Sequence, residues 1–519
     1  MKLQDIIFGT PASQEELDRA AICRQEKQVR LLKQTAAGCL LCLTLNIPGP
    51  IKTFPLALDA FDEGLSEILS CLSSDSLLYS EQSKPVTGPE AYLILKQSQD
   101  TGLLCRRLKK RMSDIEEHHP LGRLFNIDVF GIDGQRLSRS ELGLPPRSCL
   151  ICGEPAVSCI QGKQHSKELL SWRTAQLLND YFRGKAADLA ASCTVRALLY
   201  EVSSTPKPGL VDRNNSGSHK DMDFFTFLDS SAALIPWFRD FFCMGWDHAG
   251  EPDALLFSRL RFAGQKAEQQ MFSATGGVNT HKGLIFSFAV LCAALGRVHT
   301  SHIRPLPAHM VIDSCRRLGA CSLADFQAKK VRLPEQDKSE AAGKNAPVPV
   351  QDRNGAAGKN APVPVQDKSG AAGKNAPVPV QTAGERCHEH YGISGARGEA
   401  AAGFPSARRL GLPELKRRLS EDYSLNDAAI LALLSMISAV DDTNMIHRGG
   451  YQAAQDSKKE ARRLLLNLTK ENYKKSLEAL DADYIQKNLS PGGCADLLAV
   501  SLMLCFLEQS GMTASFDES

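Results

Sequence analysis

The chain has 519 residues, which at roughly 150 per domain predicts two to four domains. Hydrophobic residues make up 43% and charged residues 23%, an ordinary globular composition. Lys+Arg at 61 against Asp+Glu at 59 leaves a net charge of +2, which excludes a chain that binds nucleic acid or a membrane surface along its whole length.

The first ten residues, MKLQDIIFGT, include Asp5 and lack the apolar core of a signal peptide. No run reaches the ~18 apolar residues of a membrane-spanning helix. The longest, at 284–295 and 497–507, are expected to be buried helices. The 16 cysteines are scattered, so with one exception they read as reduced thiols of a cytoplasmic protein.

In chain order, Ser13-x-x-Glu16 is a capping box that opens a helix toward Lys33. Residues 39–46 (CLLCLTLN) read as a buried strand that stops at Pro48-Gly49-Pro50. Residues 124–132 (LFNIDVFGI) read as a second strand. Beyond residue 173 the strand signals fade. Ala/Leu-rich stretches at 173–202, 222–243, 253–273, 283–297, 426–440, 454–468 and 494–508 predict helices. Between them, at 336–380, a fifteen-residue unit occurs three times, ending each time in AGKNAPVPV. It has only Val to bury, so it predicts a disordered insert. The expected architecture is an α+β domain over 1–175 and an all-α domain over 176–519, the latter interrupted by the insert.

Asn126 and Asp128 fall on one face of the second strand, because strand side chains alternate. Two oxygen ligands so spaced suit a Mg²⁺ that also holds a polyphosphate, and Arg123, Arg136 and Arg139 flank them. The competing reading is an edge strand with a solvated polar face. Cys149-x2-Cys152-x6-Cys159-x5-His165 admits a structural Zn²⁺, against a reading of reduced thiols in a compact turn. The loop 201–223 mixes Lys207, Arg213, His219 and Lys220 with Asp212, Asp221 and Asp223 before a helix that Asp221 or Asp223 can cap. That mixture suits a Mg²⁺–triphosphate; a polar surface loop is the alternative. The loop 273–283, SATGGVNTHKG, opens an apolar helix and offers Thr280, His281 and Lys282 as donors to an anion. It lacks the order of a Walker A loop. Glu268, Asp441-Asp442-Thr443-Asn444 with Arg448, and Ser490-Pro491-Gly492-Gly493 with Asp496 are further polar turns. Singly each reads as a cap; together they point to one convergent site.

Arg24-Gln25-Glu26, Asn46-Ile47-Pro48-Gly49-Pro50-x-Lys52, the run from His119 to Val129, Ser138-Arg139 and Arg147-x-Cys149-x-x-Cys152 follow in the order of a known family. On these motifs, residues 10–170 resemble the citrate lyase holo-acyl-carrier-protein synthases, which are phosphoribosyl-dephospho-CoA transferases. The resemblance implies a nucleotidyltransferase-like fold. It implies a carrier serine attacking a phosphate of triphosphoribosyl-dephospho-CoA, with pyrophosphate leaving and Mg²⁺ neutralising charge. Asp128 and Asn126 would be metal ligands, Asp128 also catalytic, and Lys52, Arg123 and Arg139 would contact phosphates. The family pattern is Asp-Ile-Asp, whereas position 126 is Asn. Asp133 is a candidate to compensate.

Residues 190–500 resemble the triphosphoribosyl-dephospho-CoA synthases. The motifs include Thr205-Pro206-Lys207-Pro208-Gly209, Asn215-Ser216-Gly217-x-His219-x-Asp221-Met222-Asp223, Gly277-Val278-Asn279-Thr280-His281-Lys282-Gly283, Gly395-Ala396-Arg397-Gly398-Glu399 and Ser490-Pro491-Gly492-Gly493-Cys494-Ala495-Asp496. The implied reaction joins ATP and 3′-dephospho-CoA. The 2′-hydroxyl of the acceptor attacks C1′ of the ATP ribose and adenine leaves. By residue type, Lys207, Lys220, Thr280, Lys282 and Arg397 would hold phosphates. Asp221 and Asp223 would serve Mg²⁺ or act as bases, Glu268 likewise, and His281 would protonate adenine. The two resemblances together imply one bifunctional enzyme that makes the prosthetic group and loads it onto the apo-citrate lyase acyl-carrier protein, its γ subunit. Two alternatives stand beside it: a synthase whose N-terminal half only docks the carrier, and an enzyme whose acceptor is the malonate decarboxylase carrier.

Overall fold

The computed structural model describes residues 6–34, 37–96, 100–301, 303–330 and 383–517. The repeat array at 336–380 lies outside them.

The N-terminal half is a four-stranded antiparallel sheet with helices on both faces. Its helices are α1 (Gln14–Gln34), α2 (Pro55–Ser70), α3 (Thr101–His118) and α4 (Ala156–Gln161); its strands are β1 (Ala37–Leu45), β2 (Leu77–Ser83), β3 (Glu90–Lys96) and β4 (Phe125–Phe130). The strand order is β2-β3-β1-β4. The capping box forms as read: Ser13 N donates to Glu16 Oε2 at 2.7 Å and Glu16 N to Ser13 Oγ at 3.2 Å. β1 and β4 lie where the apolar runs predict them. Sequence patterning does not mark β2 and β3, because LLYSEQS is mostly exposed and EAYLILK does not alternate. One sheet face carries Leu41, Leu43, Leu93, Ile127 and Val129 against Phe61, Met112 and Leu178. The other packs Leu40, Cys42, Tyr92 and Ile94 against Leu31 of α1.

The C-terminal half is all helical. α5 (Lys167–Ser203) leads in, followed by α6 (Phe224–Asp247), α7 (Asp253–Ala274), α8 (Lys282–His299), α9 (Ala308–Lys330), α10 (Ala383–Tyr391), α11 (Gly395–Ala401) and α12 (Leu412–Ser420). The last four are α13 (Leu425–Ile437), α14 (Thr443–Asn467), α15 (Tyr473–Gln486) and α16 (Gly492–Gln509). α6 and α8 meet at glycines: a Cβ on Gly245 would lie 2.0 Å from the Ala293 carbonyl oxygen, and one on Gly296 2.0 Å from that of Phe242. Only residues without a Cβ let the two backbones approach this closely.

Three expectations change. α8 and α16 each run 18 residues and are long and apolar enough to cross a membrane, contrary to the shorter runs read from sequence. Yet 83% and 72% of their residues are buried in the fold, the position of core helices. Cys39 and Cys105 are not separate thiols. β1 and α3 pack against each other and join them in a disulfide, with Cα atoms 6.0 Å apart. The boundary expected at residue 175 falls inside α5, which belongs to both halves. Ala175 and Leu178 sit in the sheet's core, and Ala186 onward in the helical core.

Candidate functional site

In the helical half, a cleft of about 1630 Å³ collects the polar turns. Pockets for one small ligand usually enclose about 300–1,000 Å³, so this one has room for two nucleotides. Lys282, Asn444 and Gly492, from the first turns of α8, α14 and α16, all line it. Three helix N-termini thus point their positive dipole ends at one cavity, although Asp442 already takes first-turn N–H groups of α14 and α16.

The loop after α5 forms one wall. Lys207, 1% exposed, pairs with Glu201 at the end of α5, 3% exposed. Asp212 holds the loop's shape: Oδ2 accepts from Lys207 N at 2.9 Å and Thr205 Oγ1 at 2.7 Å, and Oδ1 from Asn214 N at 2.7 Å. Asp481 of α15 accepts from Gly209 N at 2.8 Å and Asn215 Nδ2 at 2.8 Å. His219 meets Ser490 Oγ through Nε2 at 2.9 Å, and Arg448 Nη1 stands 3.4 Å from its Nδ1. Burial, then the Arg448 charge, holds the His219 imidazole below its ordinary pKa.

On the opposite wall, Lys282 and Glu268 form an ion pair of 3.0 Å between α8 and α7. Thr280 Oγ1 donates to Ser230 Oγ at 2.7 Å, and Ser230 Oγ lies 2.6 Å from His281 Nδ1. Ser230 has a single hydroxyl proton. Where it gives that proton to Nδ1, the imidazole proton sits on Nε2. Nε2 is buried and has no partner among the described residues. Burial, then the Lys207 charge, depresses the His281 pKa from 6.5 to about 3. The ring is therefore neutral near pH 7.

The floor holds carboxylates. Asp442 spans two helix starts: Oδ1 accepts from Asn444 N at 2.8 Å and Met445 N at 3.1 Å, and Oδ2 from Cys494 N at 2.8 Å. Asp496 lies against Gly283, whose added Cβ would meet Asp496 Oδ2 at 2.3 Å. Burial, then the charges of Glu201 and Asp442, pushes the Asp496 pKa well up. The charges of Glu201 and Asp442 therefore both bear on Asp496. Glu399 also lines the cleft and accepts from Ser406 Oγ at 2.6 Å.

The cleft gathers Lys207, Glu268, Thr280, His281, Lys282 and Arg397 as the sequence led us to expect. It does not gather Lys220, Asp221 or Asp223, which are exposed outside its lining. Asp223 is the N-cap of α6: Oδ1 accepts from Thr226 N at 2.9 Å, completing a capping box. Asp221 stands 3.8 Å from His219 Nδ1 at the surface. Asp221 and Asp223 thus lie outside the cleft, whereas Asp442 and Asp496 line it. Singly each reads as a cap or turn, and the cleft brings them together as the convergent site their number suggests. Ser230 was not singled out; nothing in its helical surroundings marks it.

The sheet carries a second polar site. β4 is an edge strand, and its outer backbone groups are sealed by α3 and the following loop. Glu116 accepts from Ile127 N at 2.9 Å, Lys109 donates to the Ile127 carbonyl at 2.8 Å, and Arg147 donates to that of Phe125 at 2.7 Å. Asn126 and Asp128 do share a face, opposite Ile127 and Val129. Asn126 Nδ2 donates to Thr44 Oγ1 at 3.1 Å and Asp128 Oδ2 at 3.2 Å; Arg136 reaches Asp128 Oδ1 at 3.4 Å. Arg139 is held by Glu116 and Glu117. Arg123 Nη1 is buried without a hydrogen-bond partner among the described residues. Lys52 donates to the Ile47 carbonyl at 2.5 Å and makes no hydrogen bond or ion pair to Asp128, Arg123 or Arg139 among the described residues. Asp133 accepts from Gln135 N at 3.0 Å and shapes its own turn. The register places Glu90 opposite Thr44, itself opposite Asn126, so a second carboxylate shares this face. It escaped notice because β3 did. Asp128 and Asn126 offer one charged and one neutral oxygen ligand, a partial fit to Mg²⁺.

Two family models match. The ATP:dephospho-CoA triphosphoribosyl transferase model covers residues 187–514, and the apo-citrate lyase phosphoribosyl-dephospho-CoA transferase model covers 17–181. A "Protein CitXG" from Leuconostoc mesenteroides subsp. cremoris is 32% identical over 497 residues, 93% of this chain and 95% of that one. The chain belongs to the CitXG family. A CitXG protein of Haemophilus influenzae is likewise 32% identical, over 95% of this chain and 97% of its own. A "probable 2-(5''-triphosphoribosyl)-3'-dephosphocoenzyme-A synthase" of Streptococcus equi subsp. zooepidemicus is 38% identical over 62% of this chain and 98% of its own. In this CitXG chain the two matched stretches meet within α5, at the point where the two cores divide.

Proposed function

We propose that the chain is a bifunctional transferase that builds and installs the citrate lyase prosthetic group. The helical half joins ATP and 3′-dephospho-CoA into 2′-(5″-triphosphoribosyl)-3′-dephospho-CoA and releases adenine. The sheet half transfers phosphoribosyl-dephospho-CoA to a serine of the apo-acyl-carrier protein and releases pyrophosphate. One observation carries the reading: three helix N-termini and a buried carboxylate cluster share a cleft with room for two nucleotides, within the segment matched to the triphosphoribosyl transferases.

In that cleft the starts of α8, α14 and α16, with Lys282 and Arg397, hold the triphosphate. Asp496, with its raised pKa, accepts the proton of the attacking 2′-hydroxyl. His281, held by Ser230, donates a hydrogen bond from neutral Nε2. Glu201 and Asp442 would offer oxygen ligands to Mg²⁺. A bound Mg²⁺ would neutralise phosphate charge and orient the triphosphate. In the sheet half Asp128 is the metal ligand, and Arg123 and Arg136 contact phosphate oxygens.

The test is mass spectrometry of the apo-acyl-carrier protein after incubation with the enzyme, ATP, dephospho-CoA and Mg²⁺, with adenine followed in parallel. A mass gain of one phosphoribosyl-dephospho-CoA plus adenine release is expected. Neither signal from folded protein would overturn the reading. The Asn126 amide bonded to Asp128 favours a second reading, in which the sheet half only docks the carrier. Adenine release without a mass gain would select it. Repeating the assay with the malonate decarboxylase carrier tests the acceptor.

A further inference from the structure

We propose that Cys149, Cys152, Cys159 and His165 bind a structural zinc ion that holds the 149–165 segment against the transferase sheet. Their four ligand atoms lie within 4.8 Å of one another. A tetrahedron with Zn–S bonds of about 2.3 Å has sulfur–sulfur edges of roughly 3.8 Å, so small movements seat the ion. The Cys152 and Cys159 sulfurs are already 3.4 Å apart.

Three further observations point the same way. His165 Nε2 is buried without a hydrogen-bond partner among the described residues, which a neutral imidazole tolerates poorly. Cys149 heads a tight turn in which its sulfur accepts from Ile151 N at 3.4 Å and its N–H reaches the Glu154 carbonyl at 2.6 Å. The segment also has almost no core of its own. α4 exposes Val157 at 56% and Ile160 at 75%, and Cys159 is its one buried residue. A short helix without apolar burial needs another anchor, and metal ligation is the one its residues provide.

The anchor has a purpose in this fold. Two residues before Cys149, Arg147 donates to the carbonyls of Gly122, Arg123 and Phe125. One residue after His165, Ser166 caps α5 by accepting from Leu169 N at 3.1 Å. The ion would tie the start of β4 to the start of α5.

The test is zinc content by inductively coupled plasma mass spectrometry of the full chain, purified under reducing conditions from zinc-supplemented cells. One zinc per chain is expected, lost in the Cys152→Ser/Cys159→Ser double variant and kept in Cys71→Ser. Replacing zinc with Co²⁺ in the wild-type chain should give the intense absorption of tetrahedral cobalt–thiolate. His165→Cys should keep the metal and strengthen the thiolate charge-transfer band, a readout that does not depend on the double variant folding. Less than one zinc per ten chains, zinc retained by the double variant, or a Cys152–Cys159 disulfide in the purified protein would each overturn the proposal.

Discussion

Ser230 of α6 fixes the imidazole of His281 at the mouth of α8, with its Oγ 2.6 Å from Nδ1. Burial sets the charge, with the pKa brought from 6.5 to about 3. An unfolded chain protonates this histidine near pH 6.5; the folded one does so only near 3. Between those values the unfolded state binds more protons, so the contribution to stability is complete above pH 6.5 and is lost as pH falls toward 3. His281→Gln, which keeps an N–H donor and cannot titrate, should flatten the fall of Tm with acidification in that window. His281→Ala should lower adenine release by about 10²-fold, the usual loss for one positioned donor, and Gln by less. Melting curves across pH and an adenine assay check both.

Asp223 and Asp496 separate a cap from a site. Asp223→Ala should cost about 1 kcal/mol, the value of an N-cap, and leave the kcat of adenine release within about twofold. Asp496→Asn keeps the shape and removes the charge. It should lower kcat by about 10²-fold or more and weaken the Mg²⁺ dependence of the reaction. Equal kinetic losses in the two variants would return Asp223 to the chemistry.

For the sheet half, Asp128→Asn should abolish modification of the carrier and leave adenine release unchanged. Asn126→Asp restores the family carboxylate beside Asp128 and should raise the transfer rate about tenfold, since an added charged ligand strengthens the metal site. The mass-spectrometric transfer assay reads both. No gain in Asn126→Asp would mean that Glu90 or another group already supplies the charge.

Gly245→Ala places a methyl group 2.0 Å from the Ala293 carbonyl oxygen and should destabilise the helical half by about 1–3 kcal/mol. Gly264→Ala, in α7 with nothing within 4 Å of its Cβ, should stabilise it by about 0.5–1 kcal/mol. Urea melts of the two variants should shift in opposite directions.

Periodicity and composition made the long helices legible, since Ala/Leu-rich runs have few other ways to bury themselves. β1 and β4 were legible for the same reason. β2 and β3 were not, because one is mostly exposed and the other does not alternate. With β3 went Glu90, whose place on the face of Asn126 follows only from register. The turns of the cleft could be named one by one. Their convergence depends on crossings such as α6 on α8, whose close approach rests on Gly245 and Gly296. Asp223 and Asp442 both cap helices, and only the packing decides that one cap faces water and the other a cavity.

α5 carries a constraint on ancestry and engineering alike. Its middle is gripped from both sides: Tyr181 and Lys185 hold Glu63 of α2 at 2.5 and 2.6 Å, and Arg183 holds Asp247 of α6 at 2.6 Å. A helix turns about 100° per residue, so adding or deleting one residue there would swing one half around the other by that angle. Two enzymes joined by a loose tether tolerate a ragged junction. Two joined through one helix must meet in phase, and the seam between residues 181 and 187 admits whole turns where a loop would admit any length.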